Sequence, residues 1–150
     1  MPLTLPPHNN NGVIPHDHEG ILPGDGIIRR ISLEHVVFDP KIPGERLSSR
    51  AFSPSSEPNG GMSIDLQQQI EEAGIVARTY VTTPTWTGSI LFKAGQLRTE
   101  GFLVGYDPET DNPYHGQVWG IFTKAKVRKL RCLCEWFVLI ENVSTGCKEI

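Results

Sequence analysis

The run Met62-Ser63-Ile64-Asp65-Leu66 and the QQQIEEAG that follows it, residues 67–74, decide the fold class. The first five residues alternate apolar and polar without exception. A strand built from them has a dry face of Met62, Ile64 and Leu66 and a wet face of Ser63 and Asp65. The next eight are good helix formers, with Leu66, Ile70 and Ala73 on one side and Gly74 placed to stop the helix. A half-buried strand running straight into a short helix predicts a mixed α+β domain.

Toward the N-terminus, SPSSEPNGG (53–61) is turn chemistry and reads as a surface loop. Leu47 to Phe52 (LSSRAF) is a candidate strand, and DPKIPGER (39–46) is again a turn. Ile27 to Ile31 (IIRRI) has the β-branched density of a first strand, opened by Gly26. Because Arg29 and Arg30 are adjacent, one of them must face inward or lie at the strand's edge. Residues 1–26 hold five of the twelve prolines, four glycines and no periodicity, which predicts an extended or loosely packed arm.

Toward the C-terminus, Ile75 to Thr82 carries strand density and TTPTWTG (82–88) reads as a loop. Ile90 to Phe92 is apolar, Lys93 to Glu100 offers one or two helical turns closed by Gly101, and Phe102 to Tyr106 is a strand. DPETDNP (107–113) is a strong turn signal, so Tyr114 to Phe122 should return as the second arm of a hairpin. From Thr123, a candidate N-cap, the residues Val127, Leu130, Cys134 and Phe137 or Val138 fall at helical spacing. A strand over Trp136 to Ile140 stays open as the alternative within CLCEWFVLI. The expected architecture is one compact α+β domain over 27–150, a twisted, mostly antiparallel sheet with two or three short helices.

A chain of 150 residues can bury about two-thirds of its unfolded surface, and 38% hydrophobic with 21% charged residues keeps it outside the disordered regime. Fifteen Gly and twelve Pro favour strands and turns over a helical bundle. The net charge of -3 announces neither a nucleic-acid binder nor an acidic tail. Cys132, Cys134 and Cys147 form an odd set within the last nineteen residues, which points to reduced thiols and a cytoplasmic setting. The absence of a long apolar run and of a signal-peptide pattern points to no membrane partner.

The blocks IIRRI (27–31), SSRAF (48–52), MSID (62–65) and DNPYHGQVWG (111–120) make the chain similar to a scattered set of short bacterial proteins that carry them in the same order. The likeness spans roughly residues 25–125. It implies that these polar residues belong together and supplies no mechanism.

Read from the residues, the candidate catalytic set is His115, Arg30, Ser49 and Asp65. His115 would be the acid or base, Arg30 an anion clamp and Ser49 a group that orients or reacts with the substrate, provided their strands are sheet neighbours. Ser48, Ser63, Tyr114 and Trp119 are candidate binding residues around it. The plainer reading makes Arg30 and Asp65 a surface ion pair, puts the serines in turns and leaves His115 merely hydrogen-bonded. Lys124, Lys126, Arg128, Lys129 and Arg131 would line one helix face and could contact RNA or another polyanion, or could simply be solvated.

The HDHE run at 16–19 reads as a solvated arm, and the C-x-C pair has no partner pair, so no metal or other cofactor is called for. The defining residues of P-loop, dinucleotide-binding, α/β-hydrolase and zincin motifs are missing. Two functions fit: a non-catalytic module that binds a protein partner or acts as an accessory, which is preferred, and a small RNase-like or nucleotide-processing enzyme of toxin or defence type using His115 and Arg30.

Overall fold

The computed structural model describes residues 2–148, so Met1 and the last two residues of the 27–150 span lie outside the described residues. The chain is an α+β domain. Its order is β1 (His8–Asn9), β2 (Gly12–Val13), β3 (Gly26–Ile31), β4 (Val36–Asp39), β5 (Gly44–Leu47), β6 (Met62–Leu66), α1 (Gln67–Glu72), α2 (Ala77–Tyr80), β7 (Gly88–Lys93), α3 (Ala94–Thr99), β8 (Leu103–Tyr106), β9 (His115–Trp119), α4 (Lys124–Leu133), β10 (Glu135–Val138) and β11 (Val143–Ser144). Six strands form an antiparallel sheet in the order β10-β7-β3-β6-β9-β8. A second sheet, β11-β5-β4, and the β1-β2 ladder flank it.

The alternation of MSIDL sets the two faces of the large sheet. Met62, Ile64 and Leu66 join Ile27, Ile31, Ile90, Phe92, Val104 and Val118 in the main core, which the 3₁₀ turn Ser49–Phe52, α3 and α4 cover through Phe52, Leu97 and Leu130. On the opposite face, Ile28 packs with Ile70, Ala77, Val81 and Phe137 in a smaller cluster under α1 and α2. The remainder of that face carries Arg30, Ser63, Asp65, His115 and Gln117, and it is where the sheet is open.

Four segments depart from the sequence reading for visible reasons. Ile75–Thr82 contains α2 instead of a strand, because Ala77 and Val81, four residues apart, both face Ile70 and Phe137. The strand expected at Leu47–Phe52 ends at Leu47 and becomes a 3₁₀ turn, which lets the consecutive Ala51 and Phe52 both enter the core. The helix and strand alternatives at the C-terminus are both realised in succession, with Cys134 extended between α4 and β10. Residues 2–26 are extended but not loosely packed. Val13, His18 and Ile21 are buried, His18 N donates to Val104 O, and the Asp17 carboxylate accepts from Val104 N and Arg98 Nε.

The expectation of reduced thiols is also corrected, since Cys132 and Cys147 form a disulfide. It ties the end of α4 to the segment after β11. Cys134 is a free thiol that burial pushes up to about 12, which makes it inert at neutral pH. The link spans 15 residues, and closing a loop of that size restricts the unfolded chain by about 3 kcal/mol. Replacing both cysteines, Cys132→Ser with Cys147→Ser, is expected to lower unfolding free energy by about 2–4 kcal/mol in urea titration. An unchanged midpoint would show that the tie contributes nothing.

Candidate functional site

The polar half of the sheet face is assembled by register. Asp65 on β6 stands opposite His115 on β9, and Ser63 stands opposite Gln117, which makes Ser63 and His115 diagonal neighbours. β3 pairs with β6 only at Ile27–Leu66 and Ile28–Asp65, then runs on beside β7 as far as Ile31. Beyond Ile28 the two strands separate, and the Arg29 side chain occupies the gap. Its Nε donates to Ala51 O and its Nη1 to Ser63 O, each at 3.0 Å.

Three openings meet at Ser63. The first, about 390 Å³, is lined by Arg29, Arg30, Asp65, Tyr80, Trp86 and His115, among others. The second, about 360 Å³, lies toward the 55–61 loop, Asp107 and Gln117. The third, about 220 Å³, lies toward His35, Arg50 and Ser53. Ser63 lines all three and is exposed, whereas His115 beside it is buried.

Ser63 Oγ is 2.5 Å from His115 Nε2, and His115 Nδ1 lies 2.8 Å from Asp107 O and 3.3 Å from Asp107 Oδ2. A carbonyl oxygen can only accept, so Nδ1 carries hydrogen, and in the neutral ring Nε2 is left as acceptor for the Ser63 hydroxyl. Gln117 Nε2 donates to Asp107 Oδ2 at 2.6 Å while its Oε1 accepts from Gly61 N, which fixes the carboxylate to the loop. A serine, an imidazole and a carboxylate thus stand in series, the order in which a general base activates a hydroxyl.

Arg30 and Asp65 form a two-point pair, Nε to Oδ2 at 2.8 Å and Nη2 to Oδ1 at 3.2 Å, with Asp65 almost fully buried. Asn112 Nδ2 donates to Asp65 Oδ1 at 2.7 Å, and Tyr80 OH donates to Asn112 Oδ1 at 2.7 Å. The Arg30 guanidinium lies over the Tyr80 ring. Burial and the nearby Asp65 carboxylate raise the Tyr80 phenol, which keeps it a proton donor at neutral pH. Trp86 stacks on His35 at the mouth of the first opening.

Of the residues expected to act together, His115, Arg30, Asp65 and Ser63 converge. Ser49 does not. It opens the 3₁₀ turn and lines a separate groove with Lys124, Arg128 and Arg131, and the hydroxyl of Ser48 is buried without a protein partner. Tyr114 packs on Tyr80 outside the cleft lining, and Trp119 is buried against His16 with its Nε1 donating to Asn59 O. The basic helix face is partly committed: Lys126 and Lys129 reach Glu100, and Arg131 turns inward to Leu47 O and Thr145 O. Arg29, Asp107, Asn112, Tyr80 and Trp86 were not singled out by the sequence reading. The adjacency of the two arginines was the one available signal for Arg29, since the requirement that one arginine enter the sheet is met by its insertion between β3 and β6.

Asp107, Glu109 and His115 offer ligand atoms that all lie within 4.8 Å of one another. A cation there would need Nδ1 to give up its hydrogen bond to Asp107 O, so the donor set suits proton relay better than ligation. In the HDHE run, His16 Nε2 accepts from Tyr106 N and His18 Nδ1 from Gly20 N, so these rings anchor the N-terminal segment. No family model matches the chain, and no curated protein or solved structure does either.

Burial opposes protonation of His115, but hydrogen bonds to the Asp107 side chain and backbone, helped by Glu109, outweigh it and raise the ring above its usual 6.5. Asp107 is also disfavoured as an anion by burial, yet its hydrogen bonds from His115 and Gln117 bring it below 3.8. The His115 proton therefore contributes stability that is complete below pH 6.5 and is lost as pH climbs through the raised value. The Asp107 contribution is present above 3.8 and is lost as pH falls through its depressed value. In Asp107→Asn the side-chain hydrogen bond and charge that oppose burial are lost while the backbone bond and Glu109 remain, so NMR titration of His115 should show its pKa falling. An unchanged value would mean that Asp107 does not hold the ring.

Proposed function

We propose that the protein is a small hydrolytic or group-transfer enzyme in which Ser63 attacks an ester or phosphoester centre of an anionic substrate. The observation that carries this reading is the Ser63–His115–Asp107 series at the meeting point of three openings. His115 Nε2 takes the Ser63 proton as the Oγ bond to the electrophile forms, and Asp107 balances the imidazolium. The departing oxygen then takes that proton from His115. Water, deprotonated in turn by His115, attacks the group, and Ser63 Oγ departs with the proton that His115 returns to it.

Arg29 and Arg30 line the first opening together with Ser63, beside Asp65, Glu109 and Asp111, and guanidinium groups disperse charge over several oxygens, as a phosphoryl group requires. Arg29 is held beside Ser63 by Nε on Ala51 O and Nη1 on Ser63 O, which among the described residues leaves Nη2 for a ligand. Arg30, paired with Asp65, shapes the lining of the opening, its charge compensated by that carboxylate. Tyr80 and Trp86 give the first opening aromatic walls on which a planar group can stack. RNA or a nucleotide is a substrate of this kind, and a toxin or defence effector is a role that such a chain could fill. The preferred reading from sequence, a non-catalytic module with a protein partner, gives no task to the relay.

No helix among the described residues is long and apolar enough to cross a membrane. The cytoplasmic setting rested on reduced thiols and on the lack of a signal-peptide pattern; the Cys132–Cys147 disulfide removes the first ground and supports work in an oxidising compartment instead.

Diisopropyl fluorophosphate, which traps activated serines, is the direct test. Intact-mass and peptide analysis should show a single adduct on Ser63, with labelling slowed by about 10²–10⁴-fold in His115→Ala. The rate should rise with pH through the raised His115 pKa, because only the neutral ring accepts the proton. Absence of labelling in a folded wild-type protein would favour the non-catalytic reading.

A further inference from the structure

The opening toward His35 is unlike the other two in its charge. Its lining contains Arg29 and Arg50 together with His35, Ser53, Ser55 and Ser63, and no carboxylate. Among the described residues neither arginine has an ion-pair partner, while Arg30, Arg46 and Arg98 each have one. Arg29 spends Nε and Nη1 on two carbonyls and leaves Nη2 without a protein acceptor. Arg50 is exposed on the 3₁₀ turn, and only its backbone carbonyl is engaged, by Ser53 Oγ. Ser55 Oγ accepts from Glu57 N, so its own hydrogen is available to a ligand.

The field of the two guanidinium groups is felt inside the recess. Burial first, then Arg29 and Arg50, push His35 down to about 4 against a weaker opposing pull from Glu34. His35 is therefore neutral at pH 7, and its Nδ1 accepts from Ser32 N. Two unpaired cations converging on a recess with serine hydroxyls, next to an attacking group, form an uncompensated site that an anion would complete.

We infer that this recess holds a terminal phosphate of the substrate, distinct from the centre that Ser63 attacks, through Arg29, Arg50 and the Ser55 hydroxyl. The inference rests on the proposed enzyme and names its substrate class: a phosphate monoester whose reacting ester or phosphoester bond lies within reach of Ser63. Two guanidinium groups match the double charge of a monoester better than the single charge of a diester. A chain-internal phosphodiester would therefore bind there more weakly.

The test is NMR titration of the His35 ring with methyl phosphate and with dimethyl phosphate at constant ionic strength. The comparison uses wild type, Arg50→Ala and a control of equal charge change, Lys93→Ala. Saturable shifts with methyl phosphate are expected, about tenfold weaker in Arg50→Ala, unchanged in Lys93→Ala, and tighter than for dimethyl phosphate. Absence of saturable shifts, or equal binding by the two arginine and lysine variants, overturns the site. Equal or tighter binding of dimethyl phosphate overturns the terminal-phosphate assignment. Because binding is read without turnover, it stands apart from fluorophosphate labelling of wild-type Ser63, whose failure would instead remove the proposed enzyme.

Discussion

The insertion of the Arg29 guanidinium between β3 and β6 is the interaction on which the cleft depends. Two strands that pair at Ile27–Leu66 and Ile28–Asp65 would, if they continued in register, pair Arg30 with Ser63 and leave no split beside it. Instead Arg29 supplies Ser63 O with a donor in place of a continuing β3 backbone, and its Nε ties Ala51 O of the 3₁₀ turn to the same point. A carbonyl left unpaired in such a place costs about 1–3 kcal/mol, so the parting of the strands is tolerable only because the guanidinium fills it. Burial lowers Arg29 to about 10, which still leaves it charged at neutral pH. The same group that stabilises the split thus gives the split its positive charge.

Around that point the sheet divides its work between faces. One face is fully committed to the main core, from Ile27 and Ile31 through Met62 and Ile64 to Val118. The other is covered at one end by α1 and α2 and at the opposite end by the N-terminal segment, where the His16 ring packs at a tilt against Trp119. Only the strip between these covers stays open, and it is the strip onto which Arg30, Ser63, Asp65 and His115 project. A polar site of this kind needs rigid surroundings, and the flanking layers provide them without using its side chains.

Much of this was legible in the sequence, and the parts that were not share a cause. The alternation of MSIDL gave the strand and put Ser63 and Asp65 on the face opposite the main core, because period-two patterning reports directly on sheet faces. It did not foresee that Asp65 would be buried there under Arg30 and Asn112. The convergence of Arg30, Asp65 and His115 followed from polar residues lying on strands that proved to be neighbours. Ser49 was misjudged because local pattern could not show that the chain turns at Ser48 to bury Ala51 and Phe52 together. Asp107 and Asn112 read only as turn residues, which they are. Their second task, holding His115 and Asp65, depends on which strands the turn joins, a fact of tertiary pairing that turn chemistry does not encode. The disulfide was missed for the same reason, since an odd cysteine count says nothing about which two thiols meet.

The charge arrangement explains how a chain with a net charge of -3 can favour an anion at one place. Asp65 is neutralised by Arg30 and screened further by Asn112, while Asp107 is bound to His115 and Gln117. Those carboxylates therefore exert little repulsion on a ligand above Ser63. Arg29 and Arg50 have no such compensation, so the local potential is positive even though the molecule as a whole is acidic. Glu109 and Asp111 line the first opening and are absent from the 220 Å³ recess, so an anion is favoured in the recess over the rest of the cleft. Substrate orientation then follows from which carboxylates are already satisfied by the fold and which cations are not.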